Sequence, residues 1–132
     1  MRKNVDFVFI TLVYRNFEDL YTFCDSLKRN VIDSYEVVVV DAFYDEKTSA
    51  KISECSNKLK CYYIRTNNEG YGQGNNCGLN FVQKMFEYKY VFICNPDTIL
   101  KSNLSYSMFE KNDMCVAPKI ISRTGKSQNP YW

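Results

Sequence analysis

Four short apolar runs, rich in β-branched and aromatic residues, constrain the fold of this chain more than any other feature. They occupy residues 6–13, 35–40, 61–64 and 90–94. Continuous runs of this kind are typical of parallel strands that are buried on both faces. Between them lie three segments with the apolar spacing of helices, at residues 17–31, 48–59 and 78–86. The order βαβαβαβ predicts an α/β fold with a mostly parallel sheet, helices on both faces and right-handed crossovers.

Length and composition limit the chain to a single domain, residues 1–132. Its 132 residues, 45% of them apolar, are enough for one hydrophobic core. The 17 basic and 15 acidic residues are spread along the chain, so we expect no nucleic-acid partner. The apolar run at residues 7–13 is too short to cross a bilayer, and no small-residue cleavage site follows Arg2 and Lys3. We therefore expect a soluble, cytoplasmic protein.

Histidine and cysteine usage excludes several kinds of chemistry. The chain has no histidine, which excludes Ser-His-Asp and Cys-His catalysis and the histidine metal motifs. Its six cysteines form no C-x-x-C pair, and several fall within apolar runs. Spacing of this kind favours reduced, buried thiols over a disulfide framework or a zinc site.

Four of the five glycines lie in one segment, residues 67–78, which reads N-N-E-G-Y-G-Q-G-N-N-C-G. Glycine is required where the backbone takes positive φ or approaches a ligand closely. A glycine-rich turn into a helix suits a diphosphate, because free N–H groups and the positive end of the helix dipole meet there. A Gly-Asn connector is the alternative. The glycine spacing does not match the dinucleotide-binding fingerprint, which also belongs after the first strand.

Polar residues follow three of the predicted strands on the same edge of the sheet as the glycine-rich segment. They are Tyr14 and Arg15, which follow Val13 at the end of the first strand, Asp41 after the second, and the Asn95-Pro96-Asp97 sequence after the fourth. Open α/β sheets bind ligands at the carboxyl ends of their strands. Asp97 beside a phosphate site suits Mg²⁺ or Mn²⁺. Alternatively, Asp97 caps a short helix near Ser102, and Asp41 only terminates a strand. The shared edge favours a ligand-binding loop over a simple turn.

Together these segments resemble a known family. Residues 5–14, 37–41, 67–78 and 95–98 resemble the donor-binding half of GT-A fold, family 2 nucleotide-sugar glycosyltransferases, in particular their rhamnosyltransferase-like branch. That branch shows N-x-G-[FY]-G-x-G-N-N-x-G followed by a strand and N-P-D, as residues 68–78 and 95–97 do here. The resemblance covers nearly the whole chain and implies a Rossmann-like GT-A half.

The resemblance also implies a nucleotide-sugar site. Val13 and Tyr14 would line the nucleobase pocket, and Asp41 would hydrogen-bond the base or the ribose. The groups flanking the ribose and the sugar diphosphate would come from the glycine-rich segment, namely Asn68, Gly74, Asn75 and Asn76.

The metal site implied by the resemblance departs from the family pattern. Asn95 and Asp97 stand where the family has its D-x-D motif, and Asp97 would be the ligand of Mg²⁺ or Mn²⁺. Asn95 replaces the first acid of that motif. This substitution removes one negative charge from the implied metal site.

The family's reaction is inverting transfer of a sugar from a UDP- or dTDP-sugar to an acceptor hydroxyl, here on a polysaccharide or lipid-linked acceptor. In the family the catalytic base and acceptor site come from a second half of the chain, so we expect a truncated domain that lacks the base. A full-length protein of this kind is expected to associate peripherally with a membrane.

Two other functions are compatible with the sequence. The first is a non-catalytic nucleotide-binding or interaction module that presents a tyrosine-rich surface to a partner. The second is a sugar-phosphate nucleotidyltransferase, which is disfavoured because no glycine follows the first predicted strand.

Overall fold

Six strands, three helices and one 3₁₀ turn make up the part of the chain that the structure describes. The computed structural model describes residues 1–112 and 115–128. The strands are β1 Lys3–Asn4, β2 Phe7–Val13, β3 Tyr35–Ala42, β4 Tyr62–Thr66, β5 Phe86–Glu87 and β6 Tyr90–Cys94. The helices are α1 Asp19–Asn30, α2 Glu46–Lys58 and α3 Tyr71–Met85, and the 3₁₀ turn is Tyr106–Met108.

A four-stranded parallel sheet in the order β4-β3-β2-β6 forms the centre of the fold. β2 pairs with β3 along its full length, from Phe7 opposite Tyr35 to Val13 opposite Asp41. All four predicted strands are present, and their parallel pairing confirms the predicted α/β class. β6 lies at one edge of the sheet, where Ile93 is exposed.

Both faces of the sheet are covered, which explains why its strands are continuously apolar. Alternate side chains of β2, Phe7 and Phe9, pack with residues of α1 and α2. The intervening residues Val8 and Ile10 pack with Val82 of α3 on the opposite face. Burial of each such side chain contributes about 1.5–3 kcal/mol. Within residues 1–112 and 115–128, no helix is long and apolar enough to span a bilayer.

The glycine-rich segment is mostly helix, and the prediction of a helix that starts only after it was wrong. α3 begins at Tyr71, preceded by Gly70 with φ of 106°. A Cβ atom added to Gly74 would lie 2.5 Å from Leu12 Cδ1, and one added to Gly78 would lie 2.7 Å from Ile10 Cγ2. These two glycines let α3 approach the sheet closely, and this packing offsets their cost within a helix.

All six cysteines are free thiols in the structure. Cys55 is buried, Cys115 is exposed, and the other four are partly buried. The prediction of buried thiols was therefore wrong for Cys115, which lies outside the apolar runs.

We predict that Gly78→Ala lowers the free energy of unfolding by about 1–3 kcal/mol, because the added methyl overlaps the stiff, β-branched side chain of Ile10 and crowds that of Val40. Gly72→Ala is the matched control, since no atom lies within 4 Å of the added methyl. That variant should be neutral or stabilised by up to about 1 kcal/mol. Urea denaturation followed by circular dichroism measures both values, and equal effects of the two substitutions would contradict the packing argument.

Candidate functional site

The loops that carry the predicted site residues all follow the C-terminal ends of the parallel strands, which lie at one end of the sheet; this end is called the site edge below, as distinct from the edge strand β6. The register places Val13 opposite Asp41, and Asp41 opposite Arg65 of β4. Cys94, the last residue of β6, lies opposite Thr11, so the 95–98 turn starts beside the end of β2. Since α3 begins at the site edge after β4, the predicted site residues are brought to one end of the sheet.

Asp41 is the most unusual residue at the site edge. Its side chain is fully buried, and its Oδ2 accepts a hydrogen bond of 2.5 Å from the hydroxyl of Tyr63. Its Oδ1 has no hydrogen-bond partner among the described residues. A buried, unpaired carboxylate oxygen costs at least about 1–3 kcal/mol. Burial, together with the hydrogen bond to Asp41, raises the pKa of Tyr63 to about 12.

Two aromatic rings and a guanidinium group form an exposed cluster at the ends of β2 and β3. The ring of Tyr14 meets the ring of Tyr44 edge to face, with centroids 5.9 Å apart. The guanidinium carbon of Arg15 lies 4.3 Å from the centroid of the Tyr44 ring. Arg15 adopts φ of 71°, which is uncommon for a residue with a side chain. Flat, exposed groups of this kind can stack on a planar ligand.

The start of α3 presents free backbone donors. Gly74 N–H donates to the carbonyl of Gly70 at 3.1 Å, so the amides of the three residues before Gly74 have no intrahelical acceptor. The first turn of α3 contains no acidic residue, so this helix end keeps its positive partial charge. Such an end can bind an anion.

The asparagines of this segment differ in burial. Asn75 is buried in the second turn of α3, and its Oδ1 has no partner within the described residues. Asn68 precedes the helix and Asn76 lies on it, and both are exposed. Gly74 packs its Cα against Leu12 and uses its amide within the helix, so it contributes close packing rather than a free donor.

The Asn95-Pro96-Asp97 sequence forms a turn, closed by a 3.1 Å hydrogen bond from Thr98 N–H to the carbonyl of Asn95. Pro96 is buried, while Asn95 and Asp97 are exposed. The alternative that Asp97 caps a helix near Ser102 was wrong, because the next helical turn starts at Tyr106 and is capped by Ser105.

The segment after this turn is fixed to α1. Leu100 N–H donates to Ser26 Oγ at 3.0 Å, and Leu100 O accepts from Asn30 Nδ2 at 2.8 Å. The turn that carries Asp97 is therefore held between β6 and α1.

Asp97 does not belong to a ready-made metal cage. The described residues contain no group of three or more histidine, cysteine or acidic side chains that could hold a metal ion. Mg²⁺ commonly binds proteins through one or two carboxylates, with the remaining ligands from substrate phosphates and water. The single carboxylate of Asp97 fits that arrangement only when a phosphate-containing ligand supplies the other oxygens.

Sequence reasoning missed Tyr63 and Tyr44, and it placed Arg15 at this end of the sheet without assigning it a contact. Tyr63 is distant from Asp41 in sequence. Its position in an apolar run, the predicted strand at residues 61–64, was only a weak indication that it could contact a neighbouring strand. Arg15 and Tyr44 follow Tyr14 and Asp41 closely, but the ring contacts between them depend on the loop conformation.

One protein family and several solved structures are similar to this chain. The family model described as "Glycosyl transferase family 2" matches residues 8–128. The structure titled "Crystal structure of S. aureus TarS" is 25% identical with a TM-score of 0.53, over 70% of this chain and 16% of that chain. The structure titled "Crystal structure of S. aureus TarS 1-349" is 26% identical with a TM-score of 0.52, and the match covers 70% of this chain and 27% of that chain. This chain thus spans a minor part of either, and no curated protein matches it.

We predict that Tyr63→Phe lowers the free energy of unfolding at pH 7 by about 1–3 kcal/mol, because Asp41 loses its described hydrogen bond. Since the pKa of Tyr63 is raised from 10.0 to about 12, its contribution to stability is fully present below pH 10. That contribution is lost as pH rises through 12. The difference between wild type and Tyr63→Phe should therefore shrink over this range.

Urea denaturation at pH 7, 9.5 and 11.5 tests this prediction. Tyr62→Phe is the control, because Tyr62 precedes Tyr63 on β4 and packs on the opposite face of the sheet. A difference between wild type and Tyr63→Phe that is the same at all three pH values would contradict the predicted role of the hydroxyl.

Proposed function

Because the chain belongs to glycosyl transferase family 2, we propose that it is the donor-binding part of a glycosyltransferase that takes a UDP- or dTDP-linked sugar with a divalent metal ion. The proposed reaction is inverting transfer of the sugar to a hydroxyl of a polysaccharide or lipid-linked acceptor. We also propose that the chain belongs to the rhamnosyltransferase-like branch of the family. The location proposed for it is the cytoplasm, with peripheral membrane association of a longer protein.

The observation that carries the proposal is the buried carboxylate of Asp41. One of its oxygens is bonded to Tyr63, and the other has no partner among residues 1–112 and 115–128. The imide N–H of uracil or thymine, or a ribose hydroxyl, can supply the missing donor. Because Asp41 is fully buried, neighbouring side chains have to shift before a ligand reaches it. Tyr14 and Tyr44 would then stack on the base.

The diphosphate would bind at the start of α3. The free amides of its first turn and the positive end of its dipole stabilise phosphate oxygens. The exposed amides of Asn68 and Asn76 can donate to the ribose or the sugar. Asn75 has a buried amide oxygen without a described partner, which can accept a hydrogen bond from a sugar hydroxyl.

The proposed metal site consists of Asp97, with Asn95 as a neutral neighbour. A bound Mg²⁺ or Mn²⁺ would supply charge neutralisation to the departing diphosphate. Asp97 would hold the ion in place against the diphosphate, and the fixed turn would orient its carboxylate. The acceptor hydroxyl needs a general base for attack at the anomeric carbon. We assign that role to no residue of the described ranges, so the chain on its own is proposed to bind the donor without efficient transfer.

We predict that isothermal titration with UDP or dTDP in the presence of Mn²⁺ gives measurable binding, and that Asp41→Asn weakens it at least about tenfold. The loss follows from removal of a charge-assisted hydrogen bond, which contributes about 1.5–3 kcal/mol. Asp25→Asn is the charge-matched control, because Asp25 is an exposed residue of α1. Circular dichroism confirms that both variants are folded. An absence of heat from both nucleotides at millimolar concentration would contradict the proposed function.

We further predict that Mn²⁺ binds appreciably only together with nucleotide, because Asp97 alone supplies too few ligands. Asp97→Asn should keep the affinity for UDP measured in EDTA and lose most of the increase that Mn²⁺ gives to wild type. Electron paramagnetic resonance of free Mn²⁺, with and without UDP, reports metal binding directly. Full metal dependence in Asp97→Asn would remove Asp97 from the site.

A further inference from the structure

Two cysteines from distant parts of the chain meet on the face of the sheet covered by α1 and α2. Cys24 lies in α1, and Cys61 lies directly before β4. Their sulfur atoms are 3.7 Å apart, and both side chains are partly buried. A disulfide requires an S–S distance of about 2.05 Å, so the two sulfurs need to approach each other by less than about 2 Å.

Both cysteines line open clefts at the protein surface. Cys24 lines an open cleft of about 660 Å³ between α1, the end of α2 and the start of β3. Cys61 lines a second open cleft of about 500 Å³ beside α2 and β4. Cys55 and Cys94 line neither of these clefts, and Cys55 is also fully buried.

The cleft beside Cys24 favours an anionic reagent. Its two acidic residues, Asp25 and Glu36, are each paired with a basic residue, Arg29 and Lys3 respectively. Lys28 and Lys60 also line this cleft. The hydrogen bond between the two thiols lowers the pKa of Cys24 and, together with burial, raises the pKa of Cys61, so Cys24 is the thiol that attacks first.

We propose that Cys24 and Cys61 form a reversible intramolecular disulfide by exchange with an anionic, low-molecular-weight disulfide such as oxidised glutathione. The Cys24 thiolate attacks one sulfur of the reagent, forms a mixed disulfide and expels one thiolate. Cys61 then loses its proton and attacks Cys24 Sγ, which releases the second thiolate. Two protein thiols are oxidised and one reagent disulfide is reduced to two thiols, so electrons and protons balance.

The disulfide would join α1 to the start of β4. Residues 24 and 61 are 37 positions apart in the chain, so the bond would close a long loop and restrict the unfolded state. The oxidised protein should therefore melt several degrees above the reduced protein. This modification does not depend on the proposed nucleotide site.

The test is to incubate the full chain with oxidised glutathione at pH 7.5, block free thiols with iodoacetamide, and map the peptides by mass spectrometry. We expect loss of two of the six thiols, a linked Cys24–Cys61 peptide, and recovery of both thiols with dithiothreitol. Modification of Cys24 should be at least about tenfold faster than that of Cys94, which is the shielded comparison within the same protein.

Cys24→Ser and Cys61→Ser should each abolish the linked peptide and the rise in melting temperature. Cys77→Ser, at a partly buried cysteine of α3, should retain both. The wild-type peptide map needs no variant, so it decides the question even where a variant fails to fold. A map without the Cys24–Cys61 link, a link from Cys24 to Cys55, or intermolecular products through Cys115 alone would overturn the proposal.

Discussion

The register between β2 and β3 is the constraint on which the rest of the structure depends. These strands form the centre of the sheet and pair residue by residue, from Phe7 opposite Tyr35 to Val13 opposite Asp41. A slip of one residue would move each side chain of a strand to the opposite face. If β2 slipped, Phe7 would leave the core shared with α1 and α2; if β3 slipped against both of its neighbours, Asp41 would lose Tyr63. One pattern of alternating contacts thus stabilises the core and positions the site.

Much of the fold could be predicted from the sequence because local signals and burial agreed. The continuous apolar runs at residues 6–13 and 35–40 predicted strands that are buried on both faces. In the structure both runs are strands, and helices cover both of their faces. The start of α3 could not be predicted in the same way. Glycines normally favour a loop, and only the three-dimensional contact of Gly74 and Gly78 with the sheet explains why they lie in a helix.

The shared location of the candidate site residues at one end of the sheet was predictable, but the contacts between them were not. The topology rule for parallel sheets correctly placed Asp41, Asp97 and the glycine-rich segment at one edge. The hydrogen bond from Tyr63 joins residues 22 positions apart, and the contact of Arg15 with Tyr44 requires an uncommon backbone conformation. Such features depend on loop geometry and on the balance between burial and hydrogen bonding, neither of which a single sequence reveals.

The close contact of α3 with the sheet bears on the order of events during ligand binding. Gly78 has no side chain that could rearrange, and its neighbours Ile10 and Val40 are fully buried, so the second turn of α3 is packed tightly against the sheet. Asp41 follows Val40 but points to the opposite face of the sheet, where it is enclosed and would have to be uncovered before a ligand reached it. A ligand of the proposed kind would therefore meet the exposed start of α3 first and would engage Asp41 only after the side chains that cover it had moved.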